Sequence, residues 1–245
     1  MKDYRSTERF SNRASAYASN RPGYPPEAIA AIFAGHPDPS ALTVADIGAG
    51  TGISSRLFAQ RGALVVAVEP NAKMREAAEA HERVRWHDGT ATSTGLDDKS
   101  VDIAVACQAF HWFAHDEAMA EFRRIARSHA AMLQYERDER DPFTKAYGDI
   151  MRAYATDDTE ILRLKALDIF ERFPNARVER THAYFVQRVD EAGFLGRAAS
   201  SSYAPNEGEQ AEAFRDELRA VFARYQRDGF VEIAMVTNAL RAHFL

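Results

Sequence analysis

The sequence predicts an α/β protein of the doubly wound kind, a mostly parallel seven-stranded sheet with helices on both faces. Three observations carry that prediction. Apolar runs alternate with amphipathic stretches from residue 42 to residue 136, the rhythm of βαβ units that lay strands parallel. Two of the runs, "ALVVAVEP" and "VDIAVAC", are nearly continuous, as strands covered on both faces must be. The first run ends in "VADIGAGTG", whose glycines can take positive φ and let a ligand approach the backbone closely.

The elements follow in order. Residues 5–20, "RSTERFSNRASAYASN", read as a helix with Phe10, Ala14 and Tyr17 on one side. "RPGYPPE" breaks it, and Pro25-Pro26 starts a short helix through Phe33. After the loop "GHPDPS", "LTVADI" is the first strand and "ISSRLFAQ", apolar at 53, 57 and 58, the first helix of the alternation. "ALVVAVEP" is the second strand, "NAKMREAAEAH" a helix and "RVRWHDG" a short third strand. "TATSTGLDDKS" is loop, "VDIAVAC" the fourth strand, and the second half of "QAFHWFAHDEAMAEFRRIARS" a helix. "AAMLQYE" is the fifth strand. Beyond residue 136 the rhythm stops. The charged run "ERDERD" reads as a solvated face, helices follow up to Pro174, and strands return in "ARVERTHAYFVQRV" and "GFVEIAMVTNAL" on either side of a helix at about 207–225.

A chain of 245 residues fits one domain with an appended cap. We expect a single domain over 1–245, an N-terminal helical lid at 1–38 and a helical insertion at 137–174 over the substrate site. The net charge of −5 argues against a nucleic-acid binder that relies on a basic surface. Cys107, the single cysteine, cannot form an intramolecular disulfide and suits a reducing compartment. No apolar stretch approaches the ~18 residues of a membrane span, and "MKDYRSTERF" lacks the apolar core of a secretory leader. The expectation is a cytoplasmic monomer or homodimer with no membrane or nucleic-acid partner.

Strand, glycine turn, helix is the layout of a nucleotide-type cofactor site. The dinucleotide fingerprint G-x-G-x-x-G would put its third glycine at position 53, which is Ile53. The pattern here is Gly48, Gly50, Gly52, with Asp46 just ahead of it. About 20 residues further on, the second strand ends at Glu69, a carboxylate able to accept both hydroxyls of a ribose. That pairing fits NAD or S-adenosylmethionine; the missing third glycine and the early acid favour the second. "HDGTA" offers the backbone of Gly89, Thr90 and Ala91 to an adenine, and "CQAFHWF" brings Gln108, Ala109 and aromatic residues to the same edge. Ligands of open α/β sheets bind outside the carboxyl ends of the strands.

With "VADIGAGTG", Glu69, "DGTA" and "VDIAVACQAFHWF" in place, the chain resembles the class I S-adenosylmethionine-dependent methyltransferases of the small-molecule kind. Over "RFSNRASAYASNRPGYP" it is similar to a subgroup that includes trans-aconitate-type carboxyl methyltransferases. The resemblance implies a Rossmann-like fold with a helical cap. It implies S-adenosylmethionine as cofactor, held by Asp46, Gly48, Ala49, Gly50, Thr51, Glu69, Pro70, Gln108 and Ala109. It adds Asp88 for the adenine amino group, with a solvated loop charge as the rival reading, and Arg21 for the cofactor carboxylate. One departure stands out. The family usually enters strand five through a proline-glycine-glycine turn, and this chain has "ARSHAAML".

Asp46 would act on the turn's backbone or on the methionyl amine. Met74 would pack on the adenine face, or simply fill core. His111 and His115 with Asp116 invite a metal reading, but no further ligands cluster nearby, so none is expected. His111 is the candidate general base, against a packed histidine. Tyr4, Tyr17, Trp112 and Phe113 form a flat substrate wall. Such a wall suits a planar nitrogen heterocycle, as in bacterial pigment or antibiotic pathways. A small carboxylic acid is the alternative, lacking an evident arginine clamp beyond Arg21. A non-catalytic adenosyl-cofactor-binding protein is the alternative of another class.

Overall fold

The computed structural model describes residues 23–205 and 207–245; the expected helix at 5–20 and the site residues Tyr4, Tyr17 and Arg21 lie outside the described residues. Five strands run parallel: β1 (Thr43–Ile47), β2 (Leu64–Val68), β3 (Val84–His87), β4 (Val101–Cys107) and β5 (Ala126–Arg137). β7 (Val231–Phe244) is antiparallel and lies between β5 and β6 (Ala176–Val189). The order β3-β2-β1-β4-β5-β7-β6 reverses direction between β1 and β4, and a doubly wound sheet opens its ligand crevice at that reversal.

The continuous apolar runs have a simple cause. Successive strand residues face opposite sides, and both sides are covered. Val44, Ile103, Val105 and Leu133 pack on α1 (Pro26–Ile32) and α2 (Ile53–Gln60) through Ile29, Ile32 and Phe58. Ala45, Ile47, Ala104 and Met132 pack on α4 (Asp116–Ile125) and α6 (Thr159–Glu171) through Phe122, Ile125 and Phe170. Small α3 (Ala72–Glu76) follows β2, capped by the Asn71 side chain, and stops short of the expected residue 81.

A third apolar cluster sits beyond the carboxyl end of β5. It joins α5 (Pro142–Ala153), α7 (Glu191–Ala199) and α8 (Gly208–Tyr225) through Tyr147, Phe194, Phe214 and Phe222. Segment 137–174 is therefore not one layer: α5 belongs with α7 and α8, whereas α6 lies on the sheet beside the 3-10 turn Phe110–Trp112. Helix α7 was hidden by Gly193 and Gly196, which lower helix propensity. Asp190 nonetheless caps it, accepting from the Gly193 amide at 2.8 Å.

One local expectation is corrected, and one departure finds its explanation. The run "ERDERD" is not uniformly solvated: the Arg137 side chain is 11% exposed and bonds Glu160 at 2.6 Å. The missing glycine turn before β5 is replaced by a lysine. Helix α4 passes straight into the strand at Ala126, and Lys99 Nζ donates to the carbonyls of Arg123 and Ala126, both at 2.8 Å. A cation satisfying the last carbonyls of a helix does the work of a glycine cap. No helix among the described residues is long and apolar enough to cross a membrane.

Candidate active site

The glycine turn closes directly on β2. The amides of Gly48 and Ala49 both donate to the Val68 carbonyl, at 2.8 and 3.1 Å. Gly48 has φ +71°, and a Cβ there would meet the Ala109 Cβ at 2.9 Å, so a side chain is excluded by backbone conformation and by space alike. The Glu69 carboxylate fixes the turn from the other side. Oε2 accepts the Gly50 amide and Oε1 the Asn71 amide, each at 2.9 Å. Burial pushes the Glu69 carboxyl above the usual range, while the two amides pull it down.

Asp46 lies under the turn, fully buried in the middle of the sheet. Its Oδ2 accepts the hydroxyls of Ser54 and Ser55 at 2.7 and 2.6 Å. Oδ1 has no partner among the described residues. Burial raises this carboxyl to about 6, against the two serine bonds. The same neighbourhood pushes the Cys107 thiol up, through burial first and the Asp46 charge second. A buried charge with one empty oxygen destabilises the free protein and is a standing acceptor for a cationic group.

Over the carboxyl ends of the central strands opens a cavity of about 300 Å³, within the size range of small-molecule sites. From β1 it is lined by Gly48, Ala49, Gly50 and Thr51, and from β2 by Glu69, Pro70 and Met74. Gly89, Thr90 and Ala91 come from the loop after β3, and Gln108, Ala109, Trp112 and Phe113 from the segment after β4. Gln108 is held with φ +54°. Its amide donates to Leu133 O at 2.8 Å and its Nε2 to Tyr135 O at 3.1 Å. A non-glycine residue in that conformation at a cavity edge is stored strain of the kind functional sites carry.

Three expected residues lie elsewhere. Asp46 is beneath the cavity and not on its wall. Asp88 is largely exposed and pairs with Arg75 at 3.3 Å. His111 does not line the cavity. Side chains of a 3-10 turn diverge by about 120°, so Phe110 enters the core and Trp112 the cavity, with His111 tilted against Trp112. The imidazole that does line the cavity is His115, whose Nδ1 lies 2.9 Å from Glu117 Oε2. Tyr24 and Tyr135, which sequence reading missed, complete the aromatic lining, their rings 5.8 Å apart. Tyr135 ends the apolar part of β5, and the rule that strand ends carry ligand residues could have found it. No group of three or more His, Cys, Asp or Glu among the described residues is placed to hold a metal ion.

The chain is similar to known methyltransferases. Residues 45–133 match the family described as "Methyltransferase domain". An uncharacterised methyltransferase of Mycobacterium bovis is 35% identical over 145 residues, a match covering 58% of this chain and 58% of the relative's own length. An uncharacterised methyltransferase of Schizosaccharomyces pombe is 24% identical over 238 residues, 94% of each chain. Among solved structures, a candidate type II methyltransferase from Anaeromyxobacter dehalogenans superposes with a TM-score of 0.66 at 24% identity, covering 91% of this chain and 97% of that one. The glycine turn, the strand order and these matches agree: residues 45–133 carry a methyltransferase domain, and the chain has the fold of the class I S-adenosylmethionine-dependent methyltransferases.

Proposed function

We propose that the protein transfers a methyl group from S-adenosylmethionine to a nitrogen or oxygen of a small planar molecule, a nitrogen heterocycle being the acceptor it suits best. One observation carries the reading: the buried Glu69 carboxylate and the glycine turn share a cavity with Trp112 and Phe113. Glu69 is positioned to accept the ribose hydroxyls, and Met74 and Gly89–Ala91 to flank the adenine. Asp46 Oδ1 supplies negative charge beneath the methionyl end. When bound, the cofactor supplies an electrophilic methyl on a sulfonium, displaced in line by an acceptor lone pair, so alignment does most of the work. Trp112, Phe113, Tyr24 and Tyr135 offer faces for offset stacking of a flat acceptor. His115, with Glu117 beside it, is placed to take a proton from an N–H or O–H acceptor. A structural neighbour of 24% identity and TM-score 0.61, from Anabaena variabilis, is assigned to an antibiotic biosynthesis pathway, in keeping with small-molecule chemistry.

Parallel calorimetric titrations with S-adenosylhomocysteine, S-adenosylmethionine and NAD test the donor. Binding of NAD alone would return the chain to the oxidoreductases. Glu69→Ala is expected to weaken S-adenosylhomocysteine binding by roughly 1.5–3 kcal/mol, about tenfold to a hundredfold; an unchanged affinity removes Glu69 from the site. A protein that binds the donor yet releases no S-adenosylhomocysteine across a panel of heteroaromatic amines and acids would be a binding protein only.

Asp46 gives a prediction with a definite sign. Its folded pKa of about 6 lies above the ordinary value. The folded state therefore holds the extra proton between about pH 4 and 6, and stability falls by roughly 3 kcal/mol as pH rises through that window. Asp46→Asn is expected to be more stable than the parent above pH 6 in urea titrations, and to bind S-adenosylhomocysteine less well. A variant that is destabilised at pH 8 would show that the charge is compensated in the free protein.

A further inference from the structure

The ladder between β4 and β5 ends before β5 does. Its last paired residues are Cys107 and Leu133, whereas β5 runs on to Arg137. At Gln108 the chain turns away with φ +54°, its amide closing on the Leu133 carbonyl at 2.8 Å. Carbonyls two residues apart on a strand point to the same flank, so the Tyr135 carbonyl faces the place that β4 has left. Buried backbone carbonyls need partners, and here two side chains replace the missing ladder amide. Gln108, part of the cavity lining, donates its Nε2 to Tyr135 O at 3.1 Å. Arg163, on α6 and outside that lining, donates its Nη2 to the same oxygen. Gln134 returns the contact, its Nε2 donating to the Arg163 carbonyl at 2.8 Å. The Tyr135 ring packs against Tyr24 and Phe185, at 5.8 and 6.4 Å between centroids, with the Arg197 guanidinium 5.7 Å from its centre.

We propose that Arg163 is a positioning residue for the methyl acceptor: with Gln108 it clamps the Tyr135 carbonyl, and so fixes the cavity wall on which a planar acceptor stacks. The inference rests on the methyl-transfer reading and deepens it, because it assigns acceptor recognition to a residue outside the cavity. A carbonyl oxygen has two lone pairs, and this one meets a neutral amide and a guanidinium. The bond from the charged donor is the stronger of the two. Gln108 sits in a backbone conformation that is costly for a residue with a side chain, so the second hold matters. The donor seat is built elsewhere. Its glycine turn and Glu69 follow β1 and β2, which lie beyond β4 from β5. Loss of the Arg163 bond therefore loosens the acceptor wall and leaves the donor seat standing. Acceptor specificity is in this way set partly from α6.

The test uses the full chain saturated with S-adenosylhomocysteine and titrated by calorimetry with quinoline, a planar heterocycle. Arg163→Met is expected to weaken quinoline binding roughly threefold to tenfold, as a site loses affinity when its wall is no longer held in place. S-adenosylhomocysteine affinity should be unchanged, and Arg163→Lys, which keeps one charged donor, should recover part of the quinoline loss. In a Tyr135→Leu background there is no ring left to position, so Arg163→Met should add nothing further. Additive losses in that double variant overturn the clamp, as does an Arg163→Met protein that binds quinoline like the parent. Equal weakening of both ligands overturns it too, because it marks a general structural role. Should urea titration show Arg163→Met unfolded, Arg163→Gln carries the same expectations. A parent that does not bind S-adenosylhomocysteine brings down the donor reading. A loaded parent that ignores quinoline brings down the planar acceptor and the clamp with it, whereas quinoline binding indifferent to residue 163 brings down the clamp alone.

Discussion

Phe110→Ala is expected to cost about 3–5 kcal/mol of folding stability, the usual loss for a fully buried aromatic side chain. Phe110 is 0% exposed and meets Phe113, Phe122 and Phe170 edge-on, at ring separations of 5.8, 6.2 and 5.1 Å. It therefore joins the 3-10 turn to both helices that cover that face of the sheet. The turn's next residues, Trp112 and Phe113, are cavity wall, so the loss should reach function too. Urea denaturation reads the first effect and binding of S-adenosylhomocysteine the second. Phe110→Leu, which keeps most of the volume, should recover the greater part of both. A loss below about 1 kcal/mol for the alanine variant would mean that the surroundings collapse freely onto the site.

The second large effect is set by pH. His129 is fully buried at the start of β5, its Nε2 3.0 Å from Ile32 O and its Nδ1 3.0 Å from the Ser128 hydroxyl. His36 and His243 face it at 5.8 and 5.3 Å between rings, and Arg241 and Glu179 lie behind them. Burial lowers the imidazole to about 3, helped by the positive neighbours and opposed by the bond to Ile32. The unfolded chain thus takes up a proton near pH 6.5 that the folded chain refuses. The stability this confers is complete above that pH and drains away as pH falls towards 3, by roughly 3–5 kcal/mol. Asp46 acts in the opposite sense between about pH 4 and 6, so the parent protein should show a shallow acid limb. Urea titrations of Asp46→Asn should uncover the full decline and those of His129→Leu should remove it. A decline that survives in His129→Leu would transfer it to another group.

Much of this was legible because the sheet is covered on both faces. Double coverage writes itself into sequence as unbroken apolar runs, and "VDIAVAC" has no other reading. The glycine turn was legible because positive φ admits few residues. What stayed hidden depends on contacts between distant segments. Lys99 as a helix cap and Tyr135 as a cavity wall both join residues whose neighbourhood the tertiary fold alone creates. His111 and His115 show the limit at short range. Both sit in one loop, and only the pitch of the 3-10 turn decides which of them reaches the cavity.

The position of β7 bears on how the chain comes off the ribosome. It is hydrogen-bonded on one side to β5 and on the other to all of β6, from Ala176–Phe244 to Val189–Val231. Until residues 231–244 are synthesised, β5 has a bare flank and β6 has no strand partner among the described residues. Synthesis must first run through residues 190–230, a delay of a few seconds at about 5–20 residues per second. For that interval two long strand edges are open to pairing with a neighbouring nascent chain. The nascent protein is thus most prone to aggregation just before its seventh strand emerges, and co-translational chaperone binding should peak there.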